Sequence, residues 1–358
     1  MKTISVIIAE PDRFIRNQLT EAASDTEAVE LKACLDTSDI NHTREQILSI
    51  NPDVLVLGID HVESEEMELF KELRSAQSHI PILVLSNHDK EGAEAAIAAL
   101  KKGAVEYFPK TKAHSKVIRN LDYFKKRVIP VIKVTPRLNK AILLSPDYIE
   151  KKINSIQPIS PSLFETSLSR MELLVIAGCL GGIPSLYILL SGLPKNLPVP
   201  VIVLQHIEEI YSEVLAEDLN NYTELEVKEA KDGDKLTPGT VFIAPGDFHL
   251  QTKKTGDGSY LLLNQQPQVE GFRPSIDMLL ESVASHFGPR NLTVILSGGG
   301  NDGIEGAKVI DIIGGQVIVQ NKYSSLLSDI SWKVGVHGIH EGSYPVDRLA
   351  HEISHRLG

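Results

Sequence analysis

The sequence predicts an α/β protein of two modules: an N-terminal unit of five βα repeats, and a C-terminal doubly wound parallel sheet with a β-hairpin insertion. Three observations carry this. The 358 residues exceed what one hydrophobic core usually supports, so two domains are expected. In both halves short apolar runs alternate with helix-period segments, as a parallel sheet wrapped by helices requires. Between the halves lies a proline-, lysine- and serine-rich stretch without either period.

In residues 1–128 the predicted strands are Ile4 to Ile8, Val29 to Leu35, Asp53 to Leu57, Ile80 to Leu85 and Ala104 to Phe108. Asp12 can cap a helix reaching Ser24, and Gly103 can close an Ala-rich helix over Glu91 to Lys101. Residues 129–169, with Pro130, Pro136, Pro146, Pro158 and Pro161, read as an interdomain linker. The second module, 170–358, opens with Leu-Leu-Val-Ile-Ala from Leu173 and continues through Val199 to Leu204, Val294 to Leu296 and Gln316 to Val319. Turn signals at Asp232-Gly233, Pro238-Gly239 and Asp257-Gly258 predict hairpins attached to its sheet.

A composition of 42% hydrophobic and 23% charged residues suits a folded soluble chain and excludes wholesale disorder. No apolar run approaches the roughly 20 residues of a spanning helix. The first apolar run meets Glu10, so neither membrane insertion nor secretion is expected. A formal net charge of −11 argues against binding nucleic acid. Two cysteines suit a reducing cytoplasm. Cys34, inside the second strand run, reads as a core residue.

Ligands of open parallel sheets bind beyond the carboxyl ends of strands, which directs attention to three places. Leu173 to Ala177 runs into Gly178-Cys179-Leu180-Gly181-Gly182 ahead of a helix, whose N-terminus would favour a thiolate at Cys179. Val199 to Gln205 ends in His206. Leu292 to Ser297 ends in Gly298-Gly299-Gly300-Asn301-Asp302-Gly303, a loop whose amides can converge on an oxyanion. A nucleophile, a base and an orienting carboxylate are the residue types of nucleophilic acyl transfer, and Cys179, His206 and Asp302 supply them. Taken singly, a buried cysteine, a solvated histidine and a helix-capping aspartate explain each equally well. His351 and His355 can share a helix face, but no histidine has companions at metal-ligand spacing. No Lys-Ser or Lys-Thr follows the triple glycine as in a nucleotide-binding loop, so neither metal nor cofactor is expected.

At these residues the chain resembles the chemotaxis protein-glutamate methylesterase (CheB) family. The resemblance rests on Gly-Cys-Leu-Gly-Gly at 178–182, Val-Leu-Gln-His at 203–206, Asp-Gly-Asp at 232–234, Ile-Ala-Pro-Gly-Asp at 243–247 with His249, Arg-Pro-Ser-Ile-Asp at 273–277 and Gly-Asn-Asp-Gly at 300–303. It implies a response-regulator receiver-like domain at 1–128 and a methylesterase domain at 170–358. The family hydrolyses glutamyl methyl esters on chemoreceptors and deamidates receptor glutamines through Ser, His and Asp. His206 and Asp302 match two of those positions, and Cys179 stands at the third. The resemblance makes Gly181, Gly182, Gly299, Gly300 and Asn301 the substrate and oxyanion loops. It also implies a chemoreceptor or other chemosensory protein as partner, with a histidine kinase or adaptor as a further contact.

Departures cluster at both centres. Ile207-Glu208-Glu209-Ile210 replaces the family's Met-Pro-Pro-Gly, and Gly299 stands where Met is usual. The receiver pattern of two acids, a phosphoacceptor Asp, Ser or Thr, and Lys-Pro is reduced to Glu10 with Pro11, Gly58, Ser86, and Lys110 with Thr111. A pseudoreceiver is therefore expected, either permanently covering the esterase site or permanently clear of it. Ser86 and Lys110 would be kept for packing or capping. The function expected is a Cys-dependent methylesterase and glutamine deamidase. The alternatives are a catalytically silent chemosensory scaffold and a redox-responsive thiol at Cys179.

Overall fold

Strands covered on both faces by helices must be apolar throughout, and here they are: all of Val54–Gly58 and all of Leu173–Gly178 are buried. The computed structural model describes residues 3–76, 79–110, 121–139, 147–156, 159 and 171–358. Thr111, Pro146, Pro158 and Pro161 lie outside the described residues. The chain forms two compact units, Met1–Tyr148 and Ile149–Gly358. The segment expected as a linker holds helical stretches at Ile129–Val134 and Tyr148–Ser155.

The first unit is a five-stranded parallel sheet of β1 (Ile4–Ala9), β2 (Val29–Leu35), β3 (Val54–Gly58), β4 (Ile82–Asn87) and β5 (Glu106–Lys110), ordered β2-β1-β3-β4-β5. Between the strands lie α1 (Arg13–Ser24), α2 (Ile40–Ile50), α3 (Glu65–Ser75) and α4 (Lys90–Lys101). Each starts with a side-chain cap, from Asp12, Asp39, Ser64 and Asp89 respectively. β4 and β5 begin two residues later than expected. Pro81 has no N–H to give the ladder, and Ala104 takes up the turn that closes α4. Cys34 corrects the expectation of a core residue. β2 is an edge strand in which alternate side chains face outward, and Cys34 is exposed.

The second unit is a seven-stranded, wholly parallel sheet ordered β14-β13-β12-β6-β7-β9-β8. Its strands are β6 (Leu173–Gly178), β7 (Val201–Gln205), β8 (Glu226–Glu229), β9 (Thr240–Ile243), β12 (Asn291–Ile295), β13 (Gln316–Gln320) and β14 (Gly342–Tyr344). Among the described residues one hairpin forms, β10 (His249–Thr255) with β11 (Gly258–Asn264). The other two turn signals lie between β8 and β9, which pair in parallel at the sheet edge. The chain passes from β6 outward to β7, then returns to the other side of β6 at β12. Strand order therefore reverses between β6 and β12, and in such sheets the crevice above that reversal holds the ligand.

Candidate active site

Cys179 follows β6 at this reversal. Its N–H donates to Ser297 O at 3.1 Å, and its carbonyl accepts from Gly182 N at 2.8 Å and from Gln205 Nε2 at 2.7 Å. The sequence locally permits this because it has glycine where Gln205 must pass: a Cβ on Gly178 would come within 2.6 Å of Gln205 Oε1, and one on Gly182 would overlap it. Gly181 turns the chain at φ 74 into α5 (Gly182–Ser191). The thiol thus sits on a tight strand-to-helix turn, 9% exposed, at the N-terminal end of a helix.

His206 follows the next strand, β7, and its Nε2 lies 2.8 Å from Asp302 Oδ2. Asp302 is itself seated by another helix. Its Oδ1 accepts from Ser275 Oγ at 2.9 Å and Asp277 N at 3.0 Å, and its Oδ2 accepts from Ile276 N at 2.8 Å. These donors form the N-terminus of α6 (Ile276–Phe287), whose positive end favours a carboxylate. The capping is reciprocal: Asp277 Oδ1 accepts from Gly303 N and Gly306 N at the start of α7 (Ile304–Ile312). Asp302 therefore does not cap the helix that follows it in sequence, where Gly303 at φ 103 is the cap residue.

Burial would depress the His206 pKa. The charge of Cys179 and its contact with the ring, with the hydrogen bond to Asp302 and that group's charge, outweigh burial and raise it to about 9. Burial also opposes the charge of Asp302, but hydrogen bonds from His206 and the α6 amides, with the His206 charge, hold its pKa below the ordinary value. Asp277 moves the other way, to about 6, because burial and the Asp302 charge prevail over its two amide donors.

The expected glycine loops divide by whether their amides are free. Gly182 N is spent on Cys179 O, and Gly298 N on Leu327 O. Among the described residues the amides of Leu180, Gly181, Gly299 and Gly300 donate no hydrogen bond. Asn301 is exposed, with Oδ1 held at 2.7 Å by Lys333 Nζ, which also donates to Gly300 O at 2.7 Å. Two contributors escaped the sequence reading. Phe272 stacks on the His206 ring with centroids 4.0 Å apart and planes 9° from parallel, and Lys333 fixes the loop from a helix some thirty positions downstream. Neither lies at a strand end, so nothing in the local pattern marks them.

A family model for CheB methylesterase matches residues 174–353. The chain belongs to the CheB methylesterase family. It is 28% identical over 358 residues to a protein-glutamate methylesterase/protein-glutamine glutaminase of Trichodesmium erythraeum, spanning 100% of both chains. It is 30% identical to one of Bdellovibrio bacteriovorus, covering 99% of this chain and 97% of the relative. Its second unit is similar to the crystal structure of the Thermotoga maritima CheB methylesterase catalytic domain, at 33% identity and a TM-score of 0.51, covering 51% of this chain and 97% of that one.

In the first unit of this CheB family member, the residues of the receiver pattern also meet. Glu10 is buried after β1, and Lys110 Nζ at the end of β5 lies 2.9 Å from its Oε1 and 2.7 Å from Asp60 Oδ2. Asp60 Oδ1 accepts from Asn87 N at 2.9 Å. Lys110 is therefore held by ion pairs, which corrects the expectation of packing or capping. Gly58 has no room for a side chain. A Cβ there would overlap Glu10 Oε2, approach its Cδ to 2.9 Å and approach Pro11 Cδ to 3.2 Å. Burial raises the Glu10 pKa to about 7 even though the Lys110 charge and hydrogen bonds pull it down. Ser86 is fully buried on β4. Among the described residues no group of three His, Cys, Asp or Glu side chains is placed to hold a metal ion. No described helix is long and apolar enough to cross a membrane.

Proposed function

We propose that the second unit is a protein-glutamate methylesterase and glutamine deamidase in which Cys179, His206 and Asp302 act as a triad. The observation that carries this is the His206–Asp302 pair at the sheet's reversal point, with Cys179 following the adjoining strand β6. Sγ of the thiolate attacks the glutamyl ester carbonyl carbon. The developing oxyanion is met by amides from the set of Leu180, Gly181, Gly299 and Gly300. As the C–O bond breaks, the His206 imidazolium protonates the departing methoxide and methanol leaves a thioester. His206 then takes a proton from water, hydroxide adds to the thioester carbonyl, and the C–S bond breaks to restore the thiolate and leave a carboxylic acid, which releases its proton to solvent as glutamate. With a glutamine side chain the same steps release ammonia. Asp302 keeps the ring oriented and stabilises its charged form.

The substrate proposed is a glutamyl side chain on a chemoreceptor or other chemosensory protein, in a cytoplasmic setting. The first unit we read as a pseudoreceiver: Gly58 offers no acceptor, Glu10 fills the space an acceptor side chain would take, and Lys110 is committed to Glu10 and Asp60. The intact seat of Asp302 favours an enzyme over a silent scaffold, which would have no need of a charged pair buried at this depth. The test is methanol and ammonia release from a methylated receptor fragment. Turnover that Cys179→Ala abolishes is expected, and wild-type release no faster than the Cys179→Ala protein would overturn the proposal.

A further inference from the structure

Seven large hydrophobic residues are exposed among the described residues, and three of them share one groove. Tyr323 is 76% exposed, Trp332 64% and Val336 63%. The groove has a volume of about 500 Å³ and also takes in Ser328 and His340. Trp332 and Val336 lie four residues apart on α8 (Asp329–Val336), so they present one face. Tyr323 lies beyond β13. Contiguous exposed aromatic surface of this kind marks a contact site more often than scattered single residues do.

The segment that lines the groove also packs against the loop beside Cys179. Gly298 N donates to Leu327 O, and Ile330 N donates to Gly298 O. A Cβ on Gly298 would fall 2.8 Å from Ile330 Cδ1 and 2.9 Å from Cys179 Cβ, so the thiol and the start of α8 flank the same glycine. Lys333, next to Trp332, reaches Gly300 O and Asn301 Oδ1. Both acceptors are neutral, so these bonds are not ion pairs. The His206 side has the opposite character, with Glu208 and Glu209 at the start of the Glu209–Tyr222 helix. A protein of net charge −11 thus offers, next to its thiol, one acidic flank and one aromatic flank with a lysine.

We infer that the Tyr323–Trp332–Val336 groove docks the substrate protein, as an acidic amphipathic helix whose apolar face covers the aromatics while Lys333 attracts its carboxylates. This rests on the esterase reading of Cys179. Each ester hydrolysed or glutamine deamidated leaves a glutamate, so a segment carrying several such sites is acidic by its own chemistry. It would be repelled from the Glu208–Glu209 flank and drawn to the Lys333 flank. Helix-in-groove recognition with one apolar anchor pair suits the spacing of Trp332 and Val336.

The test uses the full chain carrying Cys179→Ala, so that binding is read without turnover. The probe is a fluorescent peptide of about 20 residues, long enough to be helical, Glu/Gln-rich on one face and Leu/Ala-rich on the other, with one glutamyl methyl ester. Adding Trp332→Ala or Tyr323→Ala is expected to weaken binding at least about tenfold. Lys333→Gln is expected to weaken it and flatten its salt dependence. Ile312→Ala, which removes an 81% exposed side chain away from the groove, serves as the control and leaves affinity unchanged. Absence of saturable binding, or a Trp332→Ala affinity within twofold of the parent, would overturn the docking proposal. So would a sedimenting dimer that Trp332→Ala dissolves, since the patch would then belong to a second copy. Binding that behaves as expected, with a wild-type protein that releases no methanol, would remove the esterase reading and leave the groove assigned.

Discussion

Replacing Asp302 by Asn tests the proposed triad most directly, because the structure gives this carboxylate four donors and leaves an amide nowhere to turn. Oδ1 faces Ser275 Oγ and Asp277 N; Oδ2 faces Ile276 N and His206 Nε2. An asparagine has one oxygen and one NH₂, so either orientation sets two donors against a donor. Each buried polar group left unpaired costs roughly 1–3 kcal/mol, which puts the stability loss at about 2–6 kcal/mol. Losing the charge also removes part of what lifts His206 to about 9, so its pKa should fall. The sign of the linkage follows. A histidine raised from 6.5 to about 9 stabilises the fold fully below pH 6.5, and that contribution, at most roughly 3 kcal/mol, is lost as pH rises through about 9. Asp302→Asn should therefore flatten the alkaline side of the stability profile. Loss of the correct ring orientation should lower the rate by up to about 10⁴-fold. Methanol release, NMR titration of His206 and thermal unfolding from pH 6 to 10 measure the three effects. An unchanged His206 titration with a rate within tenfold of wild type would refute the reasoning.

Two further outcomes are expected. Alkylation of Cys179 by iodoacetamide should persist to pH values well below those at which a free thiol stops reacting, and should fall in His206→Ala; a rate profile matching free cysteine would show that the ion pair does not form. Gly58→Asp should restore a carboxylate to the first unit without restoring phosphorylation. Its Cβ must displace Glu10 from Lys110, at a cost of about 1–3 kcal/mol for overpacking alone. Uptake of label from acetyl phosphate and Mg²⁺ by Gly58→Asp, at undiminished stability, would contradict that.

Strand-end position was the property that made the site legible. Cys179, His206 and Asp302 each follow a buried parallel strand, and period-2 and period-3.6 patterning locates such strands without any knowledge of tertiary contacts. Strand direction was less legible. Glu226–Glu229 and Thr240–Ile243 are short and separated by glycine turns, which suits a hairpin as well as two parallel edge strands, and only sheet pairing decides. Cys34 was misplaced for a related reason: its strand is apolar at alternate positions, but being at the edge exposes the intervening ones. Lys110 could not be understood from its own neighbourhood, because its partners Glu10 and Asp60 follow β1 and β3, 100 and 50 positions earlier in the chain, and meet it only through the strand order.

The two centres that depart from the expected patterns sit in different surroundings, and that difference bears on the proposed function. In the first unit, the missing side chain at Gly58 is compensated by Glu10, which takes up its space and pairs with Lys110, so reversing the change requires moving a buried ion pair. Nothing comparable has happened around Cys179. Gln205 clamps the turn through the Cys179 carbonyl, four donors hold Asp302, and among the described residues four loop amides donate no hydrogen bond. Keeping a histidine and a carboxylate charged in a buried place costs stability that an apolar pair would not. A scaffold under no catalytic demand gains nothing from that expense, whereas a thiol nucleophile needs both groups. The asymmetry therefore favours an enzyme whose phosphorylation input is closed and whose hydrolytic chemistry is open.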